Sequence, residues 1–240
     1  MADLPEGYYK AVEVQAPDKY DIENSTYYFG IGGSREGEKR LQAELAMTIG
    51  GGLNDYINSV SRTSDGGYIV AGYFYSKTID LGNGVQLTNS SSSTTYSDGM
   101  IIKYNSEMKV EWAKAIGGAT NDVITSVSET SDGGYIVAGY FYSKSINLGN
   151  NITLKNHNTR GTYEDGIVIK YNKDRQAEWA KAIGGTNTDR IYSVEETRDG
   201  GYIVGGYFGS GTIDLGNGKI LSNKGYYDGM LIKYSELGEV

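Results

Sequence analysis

The sequence predicts an all-β protein assembled from repeated four-stranded antiparallel sheets. Three observations carry that prediction. TSDGGYIVAGYFYSK at 63–77 returns letter for letter at 130–144, and a variant, TRDGGYIVGGYFGSG, occupies 197–211. Landmarks keep a step of 67 residues: Asp65, Asp132 and Asp199 do so, as do Ile49, Ile116 and Ile183. The chain of 240 residues holds 35 Gly and 22 Tyr but only 2 Pro, a profile of many strands and turns with almost no helix. A period well above twenty residues marks an array whose units bury their faces on one another.

Each element follows from local pattern. In the middle repeat, strand A is ITSVSET (124–130), a turn is SDGG (131–134), and strand B is YIVAGYFYS (135–143). Strand C is GIVIKYN (166–172) and strand D is AEWAKAIG (177–184). These runs are β-branched and aromatic, bounded by Gly, Asn and Asp. Between B and C lies an insert centred on INLGNNITL, IDLGNGVQL or IDLGNGKIL, whose Gly-Asn-Gly or Gly-Asn-Asn centre suits the positive φ of a tight hairpin. Strand B places Ile69, Ala71 and Tyr73 on one side and Tyr68, Val70 and Phe74 on the other. Two apolar faces imply a sheet covered on both sides, with small Ala71 and Gly72 letting neighbouring sheets approach. Radially arranged four-stranded sheets, the blades of a β-propeller, meet these requirements.

The order DxIxSVxET, DGGYIVAGY, DGxIIKYN, EWAKAIGG resembles bacterial propeller repeats of the SBBP and NHL-like kind, over about residues 44–240. That resemblance implies a fold more firmly than a function. The repeats run 44–110, 111–177 and 178–240. ELAMTIG (44–50) aligns with EWAKAIG (111–117), so the array is expected to open on a lone strand D and to close on strand C, GMLIKYSELGEV (229–240). That phase suits closure by strand exchange, yet rings of this class need four to eight blades. Either two chains form a homodimeric six-bladed ring, or the chain is cut from a longer array.

Residues 1–32 do not fit the repeat. LPEGYY (4–9), EVQAP (13–17), Tyr20 and STYYFGIG (25–32) resemble the closing part of a Cna-B or SpaA-type prealbumin-like domain of Gram-positive surface proteins, with 33–43 as a polar linker. The resemblance implies an extracellular or cell-surface protein and matches Glu13 to the acid that promotes a Lys–Asn isopeptide bond. The half of that domain that would supply the lysine is missing, so no such bond is expected. An N-terminal arm is the alternative, and cytoplasm is compatible with the absence of cysteine.

A net charge of −8 and no basic run exclude nucleic acid as the main partner. No apolar run is long enough for a membrane-spanning helix. No cofactor or metal is expected. The only histidine, His157, stands in one insert without the usual catalytic companions. Asp55, Asp122 and Asp189 recur after the paired glycines, and Asp98, Asp165 and Asp228 begin strand C. They read either as calcium ligands or sugar-hydroxyl acceptors, or as residues that close turns on backbone N–H groups. Trp112 and Trp179 read as packing within strand D. The D–A loops (51–56, 117–122, 184–189) should share one face with the inserts, whose segments 89–97, 156–164 and 223–227 hold most of the variation. Asn54, Asp55, Asn121, Asp122, Asn187, Asp189, Tyr96, Tyr163 and Tyr226 are therefore the candidate ligand face. The expected function is a non-catalytic module that binds glycan or extracellular protein. A purely structural stalk and a propeller hydrolase or lyase are the alternatives; apart from His157 and Arg160, nothing in the sequence marks a single repeat as special.

Overall fold

The structure, a computed structural model, describes residues 7–12, 26–31, 45–158 and 160–240. Every regular element in them is a strand. The chain divides into two units, Met1–Met47 and Thr48–Val240. In the first, β1 (Gly7–Val12) pairs antiparallel with β2 (Thr26–Ile31), Gly7 opposite Ile31. Glu13 and the linker at 33–43 lie outside the described residues.

The second unit holds three sheets. The first is β3 (Asp55–Arg62), β4 (Tyr68–Phe74), β7 (Asp98–Tyr104) and β8 (Val110–Ile116), in that order, with a hairpin of β5 (Thr78–Asp80) and β6 (Gln86–Thr88). The second repeats it with β9 (Asp122–Glu129), β10 (Tyr135–Phe141), β13 (Asp165–Tyr171) and β14 (Ala177–Ile183), and a hairpin of β11 (Ser145–Gly149) and β12 (Ile152–Lys155). The third has β15 (Asp189–Glu196), β16 (Tyr202–Phe208) and β19 (Asp228–Tyr234), with β17 (Thr212–Asp214) and β18 (Ile220–Ser222) as its hairpin. The A, B, C and D strands of the middle repeat therefore stand within two residues of their expected bounds.

Turn chemistry explains the boundaries. In the first A–B turn Asp65 accepts from the Thr63 hydroxyl at 2.6 Å and the Gly67 amide at 2.9 Å, while Gly66 takes φ 85°. The hairpin centre Gly82-Asn83-Gly84 has φ of 81°, 53° and 75°, the left-handed backbone that the Gly-Asn-Gly letters demand.

Successive sheets stack face to face. Ile69, Ala71 and Ile101 of the first sheet share a core with Ile124, Val127 and Val137 of the second. Ile136, Ala138 and Val168 of the second share one with Ile191, Val194 and Val204 of the third. The first strands of neighbouring sheets are also tied: Asn58 Nδ2 donates to the Ile124 carbonyl at 2.7 Å, and Thr125 Oγ1 to the Ile191 carbonyl at 2.9 Å.

Two expectations need correction. The described part of ELAMTIG, 45–50, is not a strand: Leu45–Asn54 contains none, and among the described residues β19 pairs only with β16. A D strand pairs with a C strand, and the C strand of the first sheet, β7, already carries β8. Nor does Gly72 serve the approach of neighbouring sheets. It lies against its own sheet's first strand, where a Cβ would stand 1.9 Å from the Tyr56 carbonyl oxygen. The glycine that admits the next sheet is Gly99, whose Cβ would meet Ile124 Cγ1 at 2.6 Å.

Candidate functional site

The D–A loops and the B–C inserts do share one end of the sheets. Gly118 N–H donates to Asp122 Oδ2 at 2.8 Å, Thr120 N–H to Ser143 Oγ at 3.0 Å, and Ser91 Oγ to the Ala119 carbonyl at 3.3 Å. The recurring aspartates build this end rather than present it. Asp55, Asp122 and Asp189 each accept from the hydroxyl of Ser76, Ser143 or Ser210 at 2.7, 2.7 and 2.6 Å. Each also takes the amide four residues before it, from Gly51, Gly118 or Gly185, at 2.8, 2.8 and 2.9 Å. Their oxygens are thus committed to the loop, as the turn-closing reading requires.

The asparagines divide. Asn54 is exposed. Asn121 accepts the Ser97 amide at 3.0 Å, and Asn187 Nδ2 donates to the Gly209 carbonyl at 3.2 Å. Tyr96, Tyr163 and Tyr226 are exposed, Tyr226 most of all at 93%. The insert loops are not variable throughout. Asn89, Asn156 and Asn223 each donate Nδ2 to the carbonyl of Phe74, Phe141 or Phe208, at 3.0, 2.8 and 2.7 Å.

Beside these loops the structure gathers a set of residues that the sequence reading missed. Tyr56 stacks on Tyr73 with centroids 4.7 Å apart, and Tyr75 meets Tyr73 edge-on at 6.1 Å. The Arg190 guanidinium lies 4.4 Å over the Tyr140 ring and pairs with Glu164 at 2.5 Å. Tyr207 contacts Tyr192 at 5.7 Å and Tyr227 at 5.0 Å. Burial raises the Tyr142 hydroxyl pKa to about 12, and its hydrogen bond with Glu164 adds to the shift. Burial also raises Tyr140, with Arg190 acting against it and Tyr192, Tyr73 and Glu164 adding to it. The result is a Tyr-rich belt across all three sheets with one ion pair in its middle. Glu164 and Arg190 each occur once: Ser97 and Tyr227 stand at the first position, Tyr56 and Val123 at the second. Comparing the repeats column by column, for positions that differ instead of positions that agree, is the signal that would have found them.

His157 is not a free loop residue. Its Nδ1 lies 2.6 Å from Asp165 Oδ2, and its own amide donates to the same oxygen at 2.7 Å. His157, Asn158, Arg160, Thr162, Tyr163 and Thr186 line a cleft of about 290 Å³. The hydrogen bond to Asp165 raises the His157 pKa against the opposing effect of burial. Burial raises Asp122 to about 7. Both groups hold a proton more tightly folded than unfolded, so the stability they contribute is full below their unfolded values and lost as pH rises through the folded ones. The melting temperature should accordingly fall between pH 6 and 8, and His157→Gln should make that fall shallower. A melting temperature that rises over this range in the parent chain would contradict the assignment.

Among the described residues no cluster of three or more His, Cys, Asp or Glu is placed to hold a metal ion. No family model matches the chain, and no curated protein matches it.

Proposed function

We propose that the chain is a non-catalytic recognition module of a bacterial surface protein, an arc of three propeller-like blades that takes glycan at the end carrying the Tyr belt. The belt carries this reading. Tyrosine offers a flat apolar face and a polar tip at low cost in side-chain freedom. The exposed Tyr56, Tyr192 and Tyr227 supply faces for the C–H surfaces of sugar rings, while Arg190 and the tyrosine hydroxyls supply hydrogen bonds to sugar hydroxyls and carboxylates. Tyr73, Tyr140 and Tyr207 recur at one position of all three repeats, and Tyr56, Glu164, Arg190, Tyr192 and Tyr227 vary beside them, as a binding surface on a fixed scaffold requires.

The test is a glycan-array screen followed by calorimetric titration of the hits. Tyr56→Ala and Tyr192→Ala should each weaken binding about tenfold or more, as loss of an aromatic anchor does, with unfolding midpoints little changed because both side chains are exposed. Blank screens against glycans and extracellular proteins, with the sheets intact, would leave a spacer as the function. Binding unaffected by both variants would move the site off the belt. A second reading, a hydrolase or lyase, draws on Tyr142 together with Glu164 and Arg190, the last two being residues that no other repeat carries at their positions. It is separated from the first by product release from a bound glycan, which a recognition module does not give.

A further inference from the structure

The two ends of the array carry open sheet faces that match the two sides of its internal junctions. At each internal junction an isoleucine of one sheet's first strand lies against a glycine of the preceding sheet: Ile124 against Gly99 and Ile191 against Gly166, where a Cβ would stand 2.6 and 2.8 Å from the isoleucine. Gly229 stands at the same position in the third sheet, and a Cβ there would meet nothing within 4 Å. Ile57 stands at the same position as Ile124 and Ile191 and is 44% exposed. The flanking residues agree. Val60 is 63% exposed although Val127 and Val194 are buried, and Leu231 is 71% exposed although Ile101 and Val168 are buried. Ile203 is likewise partly open where Ile69 and Ile136 are fully covered. A sheet face with a ready glycine recess at one end and its complementary isoleucine and valine at the other is an apolar surface of self-complementary kind, without a partner among the described residues.

We infer that a second copy of this chain covers these faces, Ile57 and Val60 of each copy entering the Gly229–Leu231–Ile203 face of the other. The evidence for that occupant is continuity: the same residues already make this contact twice within the chain. The arrangement also brings residues 45–50 to the unpaired edge of β19, because they precede β3 as β14 precedes β15. Two equivalent junctions close a ring of six sheets, a closure that rests on the radial arrangement proposed above.

One contact of the internal junctions is not reproduced, and it sharpens the test. Glu129 accepts the Ser64 amide at 2.6 Å, and Glu196 accepts the Ser131 amide at 2.8 Å. At the junction between copies the corresponding residues are Arg62 and Arg198, two like charges with no carboxylate. Arg62→Glu restores the acceptor and turns the repulsion into attraction. It should lower the dimer dissociation constant about tenfold or more, the scale of a hydrogen bond to a charged group.

The experiment is molar mass by light scattering over a concentration series, with glycan binding measured on the same samples so that the two proposals fail separately. A dimer that Ile57→Asp dissociates and Arg62→Glu tightens is the expected result. Leu231→Asp should dissociate it as well. Mixing the Ile57→Asp and Leu231→Asp chains should recover a weaker dimer, since one of its two junctions is intact, and that rescue excludes misfolding. A monomer at all concentrations, for the parent and for Arg62→Glu, would overturn the inference and leave the faces to a further repeat of a longer chain. A dimer indifferent to Ile57→Asp would overturn it too, by placing the contact elsewhere.

Discussion

Gly139→Ala is expected to destabilise the second unit by more than about 3 kcal/mol, a loss that point substitutions reach only through a specific mechanism. The mechanism is a backbone collision. A Cβ on Gly139 would stand 2.0 Å from the Val123 carbonyl oxygen and 2.9 Å from Ile124 Cα. Both obstacles are main chain, so no rotamer change relieves them. The crowding arises because β9 and β10 slip register between Ala138 and Gly139, a bulge that presses the first strand's carbonyl toward its neighbour. Gly72 and Gly206 occupy the same place in their sheets, where an added Cβ would stand 1.9 Å from the Tyr56 oxygen and 2.0 Å from the Arg190 oxygen. Gly205, adjacent to Gly206, should behave in the opposite way. A Cβ there meets nothing within 4 Å, and Ala71 and Ala138 already fill the matching positions. Gly205→Ala should therefore be neutral or stabilise by about 0.4–1 kcal/mol, through the unfolded chain's lost freedom. Urea unfolding of both variants measures the contrast. Equal effects of Gly139→Ala and Gly205→Ala would remove the bulge from the explanation.

These neighbouring glycines show what the letters reveal and what they withhold. The step of 67 residues, the strand limits and the positive-φ hairpin centres are properties of short segments, and each was legible from composition and spacing. The difference between Gly205 and Gly206 depends on a register slip against another strand, which one strand's letters do not contain. The same holds at the ends of the array. Ile57 and Ile124 sit in closely related segments, yet one is exposed and the other buried, because burial depends on whether a sheet precedes. The strand expected at 44–50 is not formed at 45–50 for a related reason: its letters suit a D strand, but the C strand of the first sheet, β7, already pairs with β8. In the candidate site, Asp55, Asp122 and Asp189 stood out because they recur, and recurrence marked them as frame. Glu164 and Arg190 are 26 positions apart and occur once each. Only the topology that lays β15 beside the end of the second insert brings them together.

Lys170→Ala should cost about 3–5 kcal/mol, and Lys233→Ala less than about 1 kcal/mol, although the two lysines hold the same place in successive sheets. Lys170 lies between the second and third sheets with its side chain 3% exposed, and its Nζ donates to Asp132 at 2.7 Å, Glu178 at 3.2 Å and the Tyr171 carbonyl at 3.0 Å. Its removal leaves a void in the stack where the buried four-carbon stem lay, and takes the shared cation from two half-exposed carboxylates. Lys233 makes the equivalent bond to Asp199, but its side chain is 53% exposed, since no sheet among the described residues covers that face. Water then screens the pair and competes for it, and exposed pairs are worth little. Acid unfolding reports on the Lys170 pair as well. Burial, the largest single influence, would raise the Asp132 pKa, but the hydrogen bonds from Lys170, Thr130 and Gly134 together with the Lys170 charge outweigh it and hold the value at about 2. The stability that Asp132 contributes is present above its unfolded value and lost as pH falls through about 2; in Lys170→Ala that loss should begin at higher pH. Lys170→Met keeps the apolar stem and should recover much of the void's cost, since Asp132 and Glu178 are both half-exposed and can be hydrated. Equal losses for Lys170→Ala and Lys233→Ala would show that the stacking of one sheet on the next is not what gives this ion pair its weight. That same difference in cover is what a second copy would abolish. In a chain that dimerises through its open faces, the cost of Lys233→Ala should climb toward that of Lys170→Ala as concentration rises.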